Sequence, residues 1–350
     1  MEPTRTSPLA RSRRRFTLGA LLLLVAVLAG VVGSTAEAAA YPNDPYYPRQ
    51  WHLRRIGAPA AWKVTKGKGV TIAIVDTGVD RLHLDLAKNM SPLQYDAVNG
   101  TPDGRDVCPY SEPHRRKLCH GTSVAGAAAA VTNNGKGIAG VAPDAKIMAI
   151  RVSTPQVAVD DTAVLNGLIW AADHGAKVIN MSLGASIGPL PFPDPWNLGI
   201  LYATARGALV IAAAGNAATP LCSDPGENPL VVCVGASDQY DTVSKFSNYG
   251  VRIDVVAPGN AIWMTAVATA QDTAGFYAAY DGTSFASPIV AGVAAQLMSM
   301  GATNLQAAMI LRGTAKDLGI PGYDLSYGFG RVDASAAVNL CKQVCAGAAR

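Results

Sequence analysis

Val70-Thr71-Ile72-Ala73-Ile74-Val75 is a continuous apolar, β-branched run that stops on Asp76-Thr77-Gly78. A run without polar alternation predicts a strand buried on both faces, as in a parallel sheet covered by helices. Similar segments recur at 146–152, 178–182, 209–213, 231–235 and 253–257. Helical patterns fall between and after them, at 120–131, 163–174, 196–206 and 283–300. Strands alternating with helices predict an α/β fold with a parallel sheet. Functional side chains in such sheets gather at the carboxyl ends of strands, and Asp76 stands at one.

The chain has 350 residues, 49% hydrophobic and 15% charged, a composition that argues against disorder. Arg11, Arg13, Arg14 and Arg15 precede an apolar run from Leu18 to Gly33. Small-x-small sites follow at Ala36–Ala38 and Ala38–Ala40. Residues 1–40 therefore read as a secretory signal cleaved after Ala38 or Ala40. Ser12-Arg13-Arg14-Arg15-Phe16 also resembles a twin-arginine export signal, and the sequence leaves the route open. The formal charge of +4 belongs largely to this segment, since residues 1–38 hold five Arg and two Glu. No nucleic-acid footprint remains, and no second apolar segment is long enough to span a bilayer. Residues 41–350 read as one domain, expected to be secreted and monomeric.

In a secreted chain, Cys108, Cys119, Cys222, Cys233, Cys341 and Cys345 predict disulfides. Local spacing favours 108–119, 222–233 and 341–345. No CxxC pair supports a zinc site.

Three residues carry the chemistry of an activated hydroxyl. Ser284 lies in Gly282-Thr283-Ser284-Phe285-Ala286-Ser287-Pro288, at a helix start where backbone N–H groups favour negative charge. Taken alone, Gly-Thr-Ser is an ordinary helix cap. His120, in His120-Gly121-Thr122-Ser123, titrates near neutral pH, as a general base must. His52, His83, His114 and His174 lack such surroundings and are read as solvated. Asp76 would fix the imidazole tautomer, with Asp80, Asp85 and Asp96 as nearby competitors. Asn216, ending Ala212-Ala213-Ala214-Gly215-Asn216, can donate to an oxyanion. Gly135-Lys136-Gly137-Ile138-Ala139-Gly140 matches GxGxxG but follows a helix, the wrong context for a dinucleotide.

Together the motifs, in the order Asp…His…Ser, resemble the subtilisin-like serine proteases, and among them the thermitase-like subgroup. Tyr41-Pro42-Asn43-Asp44-Pro45-Tyr46, Ile56–Trp62 and Ala129–Gly140 carry the subgroup resemblance. It implies a doubly wound, mostly parallel α/β fold with helices on both faces. It implies endopeptidase activity on protein or peptide substrates, with Asp76, His120 and Ser284 as triad and Asn216 as oxyanion donor. It implies a structural Ca2+ held by Asp44, Asp85, Asn134 and the carbonyls of Val131, Lys136 and Ile138. Ser182-Leu183-Gly184 matches one edge of a peptide groove. The opposite edge departs from the pattern, reading Val157-Ala158-Val159 where Gly-x-Gly is common. Asp281 replaces the usual Ser or Asn, and a buried carboxylate there would oppose a developing oxyanion. The cleavage sites abut the mature-like Tyr41 start, so no prosegment is expected between them. Two rivals follow: a catalytically impaired peptide-binding protein of this fold, and a protease still anchored by Leu18–Gly33.

Overall fold

β1 (Thr71–Asp76) puts Ile72 and Ile74 on one face and Ala73 and Val75 on the other, and all four are buried in separate clusters. The computed structural model describes residues 42–106, 119–154, 159–184, 194–266 and 277–345. The expected signal segment, Cys108, Val157 and Ala158 lie outside them.

Short helices α1 (Trp51–Arg55) and α2 (Ala58–Ala61) lead into β1. Next come β2 (Tyr95–Asp96), α3 (His120–Ala129), β3 (Lys146–Arg151), α4 (Asp161–Asp173) and β4 (Val178–Met181). Then follow α5 (Pro195–Ala205), β5 (Leu209–Ala213), β6 (Val231–Ser237) and β7 (Val255–Pro258). β8 (Ile262–Thr265), β9 (Tyr277–Tyr280), α6 (Thr283–Ser299), α7 (Asn304–Gly313) and α8 (Ala334–Val344) complete the described elements.

Seven strands form one sheet in the order β2-β3-β1-β4-β5-β6-β7, with every pair parallel. Among the described strands only β8 and β9 pair antiparallel, as a separate two-stranded sheet. The two-residue period divides the core. Ile72, Ile147 and Ile211 join one cluster with residues of α3 and α6, while Ala73, Met148 and Val210 join another with residues of α4 and α5. Helices thus cover both faces, as expected of a doubly wound sheet.

β1 sits between β3 and β4, so the chain leaves it toward one side of the sheet and later returns on the other. That reversal opens a crevice at the carboxyl end of β1, where Asp76 lies. Small residues fill α3, which is buried from Gly121 through Ala129, and let it pass close to α6. A Cβ added at Gly292 of α6 would lie 2.6 Å from Val141 Cβ, so the helix can approach this closely only with glycine there.

Candidate active site

Asp76 ends β1 nearly inaccessible to water, with Thr77 N–H donating to its Oδ1 at 2.7 Å. His120 opens α3, and its Nδ1 lies 2.8 and 2.9 Å from the two Asp76 carboxylate oxygens. A nitrogen facing two carboxylate oxygens carries the proton, which leaves Nε2 as the basic atom. Gly121 makes the approach possible, because a Cβ there would sit 2.1 Å from the Gly78 carbonyl oxygen. The competitors are engaged elsewhere: Asp96 pairs with Arg151, Asp85 with Asn134, and Asp80 with the N–H of Leu82.

Burial lowers the His120 pKa, but the charge and hydrogen bond of Asp76, with a contribution from Asp106, outweigh it and raise the net value above the ordinary 6.5. Sequence reading missed Asp106. It accepts from Thr122 N–H at 3.1 Å and Thr122 Oγ1 at 2.6 Å, and also hydrogen-bonds the Thr77 side chain. Thr77 follows Asp76 and Thr122 follows His120 by two, so Asp106 ties the strand end to the helix start. Burial, followed by the charge of Asp76 against its hydrogen bonds, leaves its pKa pushed up to about 6.

Ser284 is the second residue of α6. A buried polar chain fixes its backbone. Ser287 Oγ donates to Asn180 Oδ1 at 2.7 Å, Asn180 Nδ2 to Ser182 Oγ at 2.9 Å, and Ser182 Oγ to the Ser284 carbonyl at 2.7 Å. The Ser284 hydroxyl donates to the Ser182 carbonyl at 3.4 Å, and no hydrogen bond joins it to His120 in this conformation. Phe285, the residue after Ser284, places its ring centroid 5.7 Å from that of the imidazole, so the start of α6 lies beside His120. The structure therefore joins carboxylate and imidazole directly, and sets the start of α6 beside them with the Ser284 hydroxyl on the Ser182 carbonyl.

Asn216 Oδ1 accepts both Thr283 N–H and Thr283 Oγ1–H at 2.9 Å. Two donors on the oxygen fix the amide orientation and leave Nδ2 to donate outward. Asp281 is exposed and accepts from Ala261 N–H at 2.6 Å, so it is not the buried carboxylate that would oppose an oxyanion. Ser182, Leu183 and Gly184 continue from β4 toward the surface, from buried to exposed.

An oxygen-rich cluster lies elsewhere. Asp44 accepts from the N–H groups of Asn133 and Asn134 at 2.9 and 3.2 Å. Asp85 accepts from Asn134 Nδ2 at 2.7 Å and Ile138 N–H at 2.8 Å. Both carboxylates are buried, and burial raises the pKa of each, with Asp85 further raising Asp44. Among the described residues neither forms an ion pair with Lys or Arg. No hydrogen bond is donated to the carbonyls of Val131, Lys136 or Ile138 among the described residues.

Two histidine expectations need correction. His52 and His83 are buried, not solvated. His52 sits on the inward face of α1 with neither ring nitrogen hydrogen-bonded, and burial, then Arg54, lowers its pKa to about 3. His83 Nδ1 accepts from Asp85 N–H at 3.1 Å. Disulfides join Cys222 to Cys233 and Cys341 to Cys345. Cys119 is also oxidised, and Cys108, its expected partner, lies outside the described residues.

Residues 67–330 match the Subtilase family. The chain belongs to the subtilase family. It is 42% identical to thermitase of Thermoactinomyces vulgaris over 301 residues, covering 85% of this chain and 99% of that one. It is 40% identical to a thermophilic serine proteinase of Bacillus sp. (strain AK1), covering 86% and 70% respectively. A solved protease structure from Pseudoalteromonas arctica PAMC 21717 superposes with a TM-score of 0.76 at 33% identity, covering 86% of this chain and all of that one. This subtilase is a serine-type endopeptidase, and its substrates are proteins.

Proposed function

We propose that this subtilase is a secreted, calcium-stabilised endopeptidase in which Ser284 is the nucleophile, His120 the general base and acid, and Asp76 its orienting carboxylate. The observation that carries the reading is the two-oxygen contact of Asp76 with His120 Nδ1 at 2.8 and 2.9 Å, which directs Nε2 toward the cleft.

A χ1 turn of Ser284 away from the Ser182 carbonyl is the rearrangement that pairs its hydroxyl with Nε2. Catalytic hydrogen bonds that tighten only with substrate bound are common. Nε2 then takes the hydroxyl proton as Oγ attacks the scissile carbonyl. Asn216 Nδ2 and the Ser284 N–H at the α6 start donate to the oxyanion. The imidazolium returns its proton to the leaving amine, and water resolves the acyl-enzyme by the same proton path. Ser182, Leu183 and Gly184 form one edge of the groove, where a peptide adds as a strand.

Asp44, Asp85, the Asn134 side-chain oxygen and the carbonyls of Val131, Lys136 and Ile138 would hold Ca2+. Two buried carboxylates without a basic partner, beside carbonyls lacking donors, are a donor set suited to a hard cation. Asn134 would present its oxygen by an amide flip, since O and N are interchangeable in outline. Bound there, the ion would supply charge compensation and would tie Asp44, near the described amino end, to the loop after α3.

Residues 1–40 act as the export signal, and 41–350 as a peptidase domain that works as a monomer. No helix among the described residues is long and apolar enough to cross a membrane.

Cleavage of a peptide library by purified protein tests the reading. Ser284→Ala is expected to lower kcat by about 10^6-fold, a scale known from subtilisin itself. Turnover unchanged in that variant would exclude Ser284 as nucleophile. A chelator that leaves thermal stability unaltered would exclude the calcium assignment.

A further inference from the structure

A second concave site carries positive charge. Trp51, Arg54, Arg55, Gln239, Tyr240 and Arg331 line a cavity of about 490 Å³, a volume typical of small-ligand sites. None of them belongs to the Asp76–His120–Ser284 cleft. α1 contributes Trp51, Arg54 and Arg55, the turn after β6 contributes Gln239 and Tyr240, and Arg331 comes from a segment bridged to β7.

The charges do not balance. Asp241 meets Arg331 closely, Arg55 at 3.5 Å and Lys316 at 3.9 Å. One carboxylate thus serves three cations, and among the described residues Arg54 holds only the Pro48 carbonyl, at 3.4 Å. Even with Asp238 in the same turn, the basic groups are in excess by two. Arg331 is buried, yet among the described residues Asp241 takes the one hydrogen bond of its guanidinium, and Nε has no partner. A guanidinium offers five donors, so most of this one's capacity is unspent. Burying the Nε–H without an acceptor is unfavourable, and an oxyanion brought to the cavity would relieve that.

The rim is also prepared. Tyr240 is 76% exposed, on a turn held by Asp238 accepting the N–H groups of Tyr240 and Thr242 at 2.8 and 2.9 Å. Trp51 is fixed by its Nε1–H to the Asn260 carbonyl at 3.2 Å. A fixed indole and an exposed phenol on an ordered turn, beside arginines, suit an organic ligand better than a bare inorganic ion.

We propose that this cavity is an exosite for peptides bearing a free terminal carboxylate, with Arg54, Arg55 and Arg331 as its anion-binding residues. Peptide-bond hydrolysis creates such carboxylates, so the enzyme's own products belong to the class. An inorganic oxyanion shares the headgroup chemistry and is the source to be distinguished.

Calorimetric titration of the Ser284→Ala protein with acetyl-trialanine, its C-terminal amide and sodium sulfate tests this. Comparing acid with amide separates the exosite from the cleft, whichever residue is the nucleophile. The acid is expected to bind saturably and the amide at least tenfold more weakly. Arg54→Gln, at an exposed position, is expected to weaken the acid about tenfold, the loss of one charged hydrogen bond. Arg331→Gln is expected to remove acid binding, with circular dichroism reporting its fold. Equal binding of acid and amide, or full acid affinity in Arg54→Gln, overturns the proposal. Saturation by sulfate with none by the acid peptide overturns the peptide assignment as well.

Discussion

At the residue scale, the proposed role of His120 as base rests on Asp76, whose two oxygens face Nδ1 and so favour one tautomer and the charged form. The pKa of His120 lies above 6.5, and the neutral form is the one that accepts the Ser284 proton. The acid limb of kcat/KM is therefore expected above pH 6.5, activity rising as His120 loses its proton. Asp76→Asn is expected to lower kcat by about 10^4-fold. A pH–rate profile of both proteins checks this, and an acid limb below the ordinary histidine range would contradict it. Asn216→Ala is expected to reduce kcat by about 10^2–10^3-fold with little change in KM, a magnitude taken from subtilisin. Steady-state kinetics on one peptide reads the split. Asp76, His120, Ser284 and Asn216 were legible because each sits in a local motif at a strand end or helix start. Asp106 was not, because Thr77 and Thr122, which it joins, are neighbours only after folding. The second duty of Ser182, anchoring the Ser284 carbonyl, was hidden for the same reason.

At the element scale, the long parallel strands were readable because β-branched runs buried on both faces leave no polar alternation. β2 was not, since two residues cannot display a period. The β8–β9 pair escaped because neither Ile262-Trp263-Met264-Thr265 nor Tyr277-Ala278-Ala279-Tyr280 carries the Val/Ile run that marked β4 and β7, which are as short. α8 did leave a signal that went unread. Ala334, Ala337, Val338 and Cys341 are buried at helical spacing behind the Asp333 cap, whose side chain accepts Ala336 N–H at 2.9 Å. The packing of α6 supplies a sharper test. Gly292→Ala, made in a Ser284→Ala background to prevent autolysis, is expected to destabilise by about 1–3 kcal/mol through overpacking against Val141. Denaturant titration measures it, and an unchanged midpoint would mean that the helix shifts freely.

At the scale of the whole molecule, the Asp44–Asp85 cluster links stability to metal and pH. Both folded pKa values are raised, so without a cation the pair favours folding only while protonated, and that contribution is lost as pH rises through the folded values. Calcium held as proposed would reverse the sense, because it would bind the charged carboxylates. The difference in Tm with and without chelator is therefore expected to be largest near neutral pH and to shrink on acidification toward the carboxylate range. Calcium at one hundred times its Kd would contribute about 2.7 kcal/mol. Thermal scans across pH check this, and a difference that grows on acidification would contradict it.

The central claim is that Ser284, His120, Asp76 and Asn216 act on one acyl group. A crystal structure of the enzyme inactivated by a serine-reactive peptidyl phosphonate tests it most directly. The account predicts phosphorus bonded to Ser284 Oγ, its oxygen accepting from Asn216 Nδ2 and the Ser284 N–H, and the Oγ rotated off the Ser182 carbonyl toward His120 Nε2. An adduct on another residue, or a phosphonyl oxygen pointing away from Asn216, would contradict it.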